Sequence, residues 1–227
     1  MNLLANFYDK NGKLKRYHIH GYVENSNAIF KIDNGECLKW ITDSKVKDPQ
    51  VNERISDLKP KGFYQISDVL YDKNGVYSAF TMKLCQKDHT DIVLMPTEYT
   101  LENLYNLFVS FYGLAFENIV ASDMCSNHAI VNEDGITIVK TDGFYLSRGI
   151  DKKMIVDSNY KKLLYLFRDI YLNSLYYKHD YTTDSGVSRI VYDLFDNKED
   201  LISVEKKLTD YKYPIDYIQA KRRELHK

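Results

Sequence analysis

The stretch that most restricts how this chain can fold spans residues 121–147, ASDMCSNHAIVNEDGITIVKTDGFYLS. A polar loop carrying Asp123 leads into the short run His128, Ala129, Ile130, Val131. The turn Asn132, Glu133, Asp134, Gly135 follows, then a second run, Ile136, Thr137, Ile138, Val139, and after it Asp142. Two such runs around an Asp-Gly turn predict a β-hairpin. A hairpin returns its two ends to one place, so Asp123 and Asp142 are expected near each other. Two carboxylates held at one end of a rigid hairpin can bind a divalent cation, or divide the roles of base and metal ligand.

The residues before this stretch read mostly as strands. Runs over 4–9 and 14–23 flank the turn Lys10, Asn11, Gly12, Lys13, and a run over 27–32 follows Glu24, Asn25, Ser26. The turn Asp33, Asn34, Gly35 leads into 36–41, where Leu38 and Trp40 share one face and Lys39 points to the other. By spacing alone, a lysine in mid-strand faces solvent. Over 48–61 the pattern changes to helical spacing, with Val51, Ile55 and Leu58 in phase. Pro49 suits the start and Pro60 the stop, so a short helix carrying Glu53 is expected. Strands over 63–70 and 76–84 then flank the turn Asp72, Lys73, Asn74, Gly75.

From Thr100 onward the chain turns helical. Leu101, Leu104, Leu107, Phe108, Phe111 and Leu114 make a helix apolar nearly all round, which predicts burial. After the hairpin, 148–157 reads as a loop, and Asp157 with Ser158 is expected to cap a helix over 159–178. Shorter helices are expected over 188–195, 198–211 and 215–226. The change from strands to helices near residue 86 divides the chain into 1–85 and 86–227, and the expected class is α+β.

Composition narrows the partners. Hydrophobic residues are 44% of the chain, enough for a core, while charged residues are 28% and nearly cancel to a net −1. That balance gives no footprint for nucleic acid or an anionic membrane. The basic run Lys221, Arg222, Arg223 reads as a solvated helix end. Cys37, Cys85 and Cys125 show no CxxC spacing, which argues against zinc, and free thiols suit a reducing cytosol. No run approaches the ~20 apolar residues of a membrane span, and the first residues are too short and polar for a signal peptide. A soluble, cytoplasmic protein is expected.

Taken in order, these features are a lysine on a strand, a glutamate on the next helix, two more strands, a buried helix, then Asp, hairpin, Asp. The order resembles the protein-kinase-like fold. The stretch 21–30, GYVENSNAIF, stands at the place of the Gly-rich loop, and Cys37, Leu38, Lys39, Trp40 is similar to the Val-Ala-Ile-Lys strand. Glu53 stands where the family pairs a helix glutamate with that lysine. Thr81, Met82, Lys83, Leu84, Cys85 looks like the strand entering the hinge. Ser122-Asp123 is similar to the catalytic-loop aspartate, and Thr141-Asp142-Gly143 to the Asp-Phe-Gly metal site. The resemblance extends over roughly residues 15–147. It implies a bilobal fold, with an antiparallel N-lobe plus one helix over 1–85 and an abbreviated, mainly helical C-lobe over 86–227.

The chemistry the resemblance implies is phosphoryl transfer from ATP with Mg²⁺, driven by positioning and charge neutralisation. Lys39 would hold the α- and β-phosphates and Glu53 would hold Lys39. Asp142 would bind the metal, and Asp123 would orient the acceptor hydroxyl of a protein or small molecule. The adenine would meet backbone near Lys83, Leu84 and Cys85, under the loop that starts at Gly21. The chain departs from the family in several places. Only Gly21 remains of the loop glycines. Five residues after Asp123, where the family has a second metal ligand, stands His128, with Asn127 one residue earlier; either could serve. Imidazole suits Mn²⁺ better than Mg²⁺. Gly143 replaces the phenylalanine, with Phe144 next, and no Ala-Pro-Glu segment occurs. Two readings stand: an active phosphotransferase, or a weak or inactive pseudokinase acting as a nucleotide-responsive interaction module. A third is an α+β structural protein without this chemistry.

Overall fold

Four turns bearing Asp and Gly fold the chain back on itself. In the first, Asp9 Oδ1 accepts the amides of Asn11 and Lys13 at 2.9 and 3.0 Å. In the third, Asp72 Oδ1 accepts those of Asn74 and Val76, both at 2.8 Å. Gly12 and Gly75 take the left-handed conformation, φ +78° and +77°, that lets such turns close. The computed structural model describes residues 3–23, 28–41, 48–83, 90–122, 124–141, 143–196 and 200–225.

The strands they join are β1 (Leu3–Tyr8), β2 (Leu14–Ile19), β3 (Gly21–Tyr22), β4 (Ile29–Lys31), β5 (Glu36–Trp40), β6 (Ile66–Tyr71) and β7 (Tyr77–Lys83). They make one antiparallel sheet in the order β2-β1-β6-β7-β5-β4-β3. The sheet is curled. In a flat sheet β1 and β5, three strand spacings apart, would stand about 14 Å from each other. Yet the rings of Phe7 on β1 and Trp40 on β5 meet edge to face at 5.4 Å. The concave side encloses a small core of Ala5, Phe7, Ile19, Ile32, Leu38, Leu70 and Ala79. The other side presents Cys37, Phe80 and Met82 to the main core.

Helix α1 (Pro49–Leu58) lies between β5 and β6 in sequence, starting as its residues require. Asp48 caps it by accepting the Gln50 amide, Pro49 occupies the first turn, and Lys59 ends it in a left-handed conformation. The strand expected over 63–70 begins only at Ile66. Phe63 instead bridges in parallel to Ile138: the Tyr64 amide donates to Ile138 O at 2.9 Å and the Ile138 amide to Gly62 O at 2.7 Å.

The second part is helical around short strands: α2 (Thr97–Phe116), β8 (Ile119–Val120), β9 (Ala129–Asn132), β10 (Gly135–Ile138), β11 (Tyr145–Leu146), α3 (Lys152–His179), α4 (Ser185–Leu194), α5 (Leu201–Leu208) and α6 (Pro214–Leu225). Helix α3 corrects the expectation of a loop over 148–157 capped by Asp157 and Ser158. Asp151 is the cap, accepting the Lys153 amide at 2.7 Å. The earlier start lets Ile155 bury itself with Ala115 and Val120. Asp184 likewise caps α4 ahead of the expected start at 188, whereas Asp200 caps α5, which begins at Leu201, after the expected 198. One continuous core runs from Cys37, Phe80 and α1 through α2 and α3 to Ile218 of α6. The expected lobe boundary after residue 85 lies outside the described residues. No helix among them is long and apolar enough to cross a membrane.

Candidate functional site

The predicted hairpin forms, with Gly135 opposite Asn132 and Ile138 opposite Ala129. His128 O accepts the Val139 amide at 2.8 Å and carries the pairing one step further. Outside the hairpin the chain pairs again. β8 and β11 run antiparallel, with Tyr145 opposite Val120 and Leu146 opposite Ile119, and the Ser147 amide donates to Asn118 O at 2.8 Å. Toward the hairpin, the Ser122 hydroxyl donates to Gly143 O. Ser122 immediately precedes Asp123 and Gly143 immediately follows Asp142, so the neighbours of both aspartates touch. A Cβ on Gly143 would lie 2.8 Å from Ser122 Oγ and 3.1 Å from Ser122 O. Glycine after Asp142 is what permits this approach. Asp123 and Asp142 themselves lie outside the described residues.

Helix α3 fixes one side of this arrangement at three points. Asn159 is buried and fully used: its Oδ1 accepts the Ala121 amide at 2.8 Å, and its Nδ2 donates to Ile119 O at 3.0 Å and Phe111 O at 3.3 Å. Asp169 Oδ2 accepts the Ser126 amide at 2.6 Å, and Asn173 Nδ2 donates to Ser126 Oγ. Sequence reasoning missed all three. Asn159 was read as a helix start because Asp157 and Ser158 precede it.

Lys39 is not a solvated mid-strand lysine. It is half-buried, stands opposite Phe80 in the β5/β7 pairing, and its Nζ lies 5.7 Å from the centre of the Phe80 ring. Residues directly opposite on antiparallel strands share a face, so Lys39 looks toward the main core. Phe80 stacks on Tyr64 at 5.8 Å and 15°. The Tyr64 hydroxyl is 2.7 Å from Thr141 Oγ1, and Thr141 directly precedes Asp142. Thus the face bearing Lys39 is two side chains away from the segment that carries the second aspartate.

Glu53 is placed differently from the expectation. Its carboxylate accepts from the Tyr71 hydroxyl at 2.7 Å, and among the described residues no ion pair joins it to Lys39. The Glu53 carboxylate raises the Tyr71 pKa, after desolvation, the larger cause. With Ser56 and Asp57 it borders a polar hollow against the β1–β2 turn. The α1 side chain that reaches the aspartate segment is Asn52, which accepts from Thr141 Oγ1 at 3.2 Å and donates to the Tyr77 hydroxyl at 2.5 Å.

The other expected residues are spread around this centre. Gly21 pairs with Lys31 and has open space where a side chain would stand. Lys83 ends β7, exposed, while Leu84 and Cys85 lie outside the described residues. Asn127 is exposed and His128 half-buried, on a single 3-10 turn over Ser126–His128. Among the described residues no group of three or more His, Cys, Asp or Glu could hold a metal. Of the two expected second ligands, Asn127 offers an oxygen, which suits a hard divalent cation, and His128 an imidazole nitrogen.

No protein-family model matches the chain, and no curated protein matches it. Solved structures do. The kinase PK-1 of Cydia pomonella granulovirus aligns with a TM-score of 0.50 over 65% of this chain and 65% of its own, at 13% sequence identity. The fold is kinase-like. This chain thus covers about 65% of the length of that viral kinase. At such low identity the likeness speaks of the fold: a curled antiparallel sheet with α1 above a helical part that carries the β9–β10 hairpin.

Proposed function

We propose that this chain is an ATP-dependent phosphotransferase with a kinase-like active centre, working on the hydroxyl of a protein or small molecule. The observation that carries the reading is the hydrogen bond from Ser122 to Gly143, which joins the neighbours of the two aspartates. In this reading 1–85 and 86–227 are the two lobes. Lys39 neutralises phosphate charge, and Asp142, with Asn127 or His128, holds Mg²⁺ or Mn²⁺. The metal supplies charge neutralisation between the phosphates. Asp123 orients the acceptor hydroxyl and takes its proton. Gly21 and the backbone from Lys83 to Cys85 border the nucleotide.

The test is transfer of labelled phosphate from ATP, with Mg²⁺ and with Mn²⁺, beside a thermal-shift titration with the same nucleotide. A ligand that binds the native state alone raises its stability by RT ln(1 + [L]/Kd). Asp142→Ala should abolish both the shift and the transfer, since a metal ligand serves binding and charge neutralisation together. Asp123→Ala should keep the shift while lowering turnover by roughly 10²–10⁴-fold, the usual worth of general-base assistance. A wild-type chain with neither shift nor transfer under either metal would end this reading.

A second reading is favoured by one specific observation: Glu53 is engaged by Tyr71 rather than by Lys39. A chain lacking that support suits a pseudokinase that binds nucleotide and acts through a partner. A thermal shift without label transfer would select it.

A further inference from the structure

Between α1 and the segment entering Asp142 lies a chain of four polar side chains, three of them buried and the fourth, Tyr77, half-buried. Tyr64, Thr141 and Asn52 are 2%, 4% and 9% exposed. The Thr141 hydroxyl donates to Asn52 Oδ1. A hydroxyl has one proton to give, so the 2.7 Å contact with Tyr64 requires Tyr64 to donate to Thr141. Asn52 Nδ2 in turn donates to the Tyr77 hydroxyl. The donors therefore run in one direction from Tyr64 through Thr141 to Asn52, and from Asn52 on to β7. The chain spans the strand-lobe segment before β6, the aspartate segment, α1 and β7.

We propose that Asn52 is a positioning residue for the metal-binding step: through Thr141 it fixes the backbone that presents Asp142, so that the placement of α1 controls the metal by a neutral relay and not by the Glu53 carboxylate. This rests on the phosphotransferase reading above. Three facts carry it. Thr141 is the residue next to the metal-binding aspartate. Its side chain is held from both sides by buried groups whose loss leaves unpaired polar atoms. Glu53, the acidic residue next to Asn52, is directed to Tyr71. Metal ligands tolerate little displacement, and the groups behind them hold that geometry. A shift of α1 would break the Asn52–Thr141 bond and free the segment before Asp142 from that side.

The experiment measures ATP affinity in Mg²⁺ and again in EDTA. Asn52→Leu and Thr141→Val, each close in volume to the natural residue, should weaken binding about tenfold in Mg²⁺ and under about twofold in EDTA, the scale of one lost buried hydrogen bond. The double variant should be no worse than either single one, because the two residues act as a unit. Thr141→Ser, which keeps the hydroxyl, should restore wild-type affinity, and Glu53→Gln should change it under about twofold. Equal losses in Mg²⁺ and EDTA would mean a merely structural role and overturn the proposal, as would an unaffected Asn52→Leu. If the wild type binds no Mg²⁺-ATP, the phosphotransferase reading fails by itself. The relay is then decided by amide exchange at Phe144, Tyr145 and Leu146. Faster exchange in Asn52→Leu but not in Glu53→Gln upholds it, and equal exchange in the two variants overturns it.

Discussion

At the scale of single residues, the site depends on side chains that carry no charge. Asn159 satisfies three backbone groups, two in the segment leading to Asp123 and one on α2. Asn159→Leu leaves them buried without partners and should cost about 1–3 kcal/mol, read as a lower urea midpoint; an unchanged midpoint would show that Asn159 does not hold this segment. The acids, by contrast, were visible in the sequence because chemistry points to them, and here sequence reasoning chose Glu53 over Asn52. A signal against that choice was present in the periodicity. At 100° per residue, Val51, Ile55 and Leu58 fall in phase, although Leu58 is exposed and the buried residues are Val51, Asn52 and Ile55; Asn52 lies about 100° from Val51 on the flank of that stripe, and Glu53 about 200° away, nearly opposite. Lys39 shows the reverse case. Alternation correctly separated it from Leu38 and Trp40, but both faces of this sheet are covered, so the polar face was not the wet one.

At the scale of elements, turns were legible and so was the α1 start, which Pro49 marks, but the α3 start was not. An Asp-x-Asn-Gly turn closes locally, through its own side chain and glycine, and needs nothing from the rest of the chain. A helix start is a choice among many Asp and Ser residues, and packing makes it: Asp151 rather than Asp157 caps α3 because Ile155 has a place in the core. The α4 cap gives a pH prediction. The Asp184 carboxyl is held below its ordinary 3.8, first by the Val187 amide it accepts, then by the Arg222 guanidinium at 2.6 Å. A carboxyl with a lowered folded pKa contributes stability above the ordinary carboxylate range and loses it as pH falls through the folded value. Arg222 is a residue of the run read as a solvated helix end; it docks α6 onto the start of α4 instead. Asp184→Asn should therefore be less stable than wild type at neutral pH, with the difference shrinking between about pH 5 and pH 2. Thermal midpoints across that range measure it, and a constant difference would remove the linkage.

At the scale of the whole molecule, one core joins the sheet, α1 and the helices, so the two parts should unfold together. The single tryptophan, Trp40, sits in the sheet against Phe7 and Phe30, whereas far-ultraviolet circular dichroism reports mainly α2 and α3. Their urea transitions should coincide, the mark of two-state behaviour; separated midpoints would mean that the lobes are independent. The kinase-like order of elements was legible because each element announces itself locally. The curl that folds β1 and β2 over Leu38 and Trp40 was not, since it rests on contacts between residues far apart in sequence. The pairing of β8 with β11 carries a last consequence. It makes the chain between Ser122 and Gly143 a ring in the polymer sense: the short way across runs through hydrogen bonds, not along the backbone. Slack added at the Asp134-Gly135 tip stays inside the ring, while slack added before Asn118 or after Ser147 moves both of its ends as one. Length variation at that tip should leave the chemistry intact.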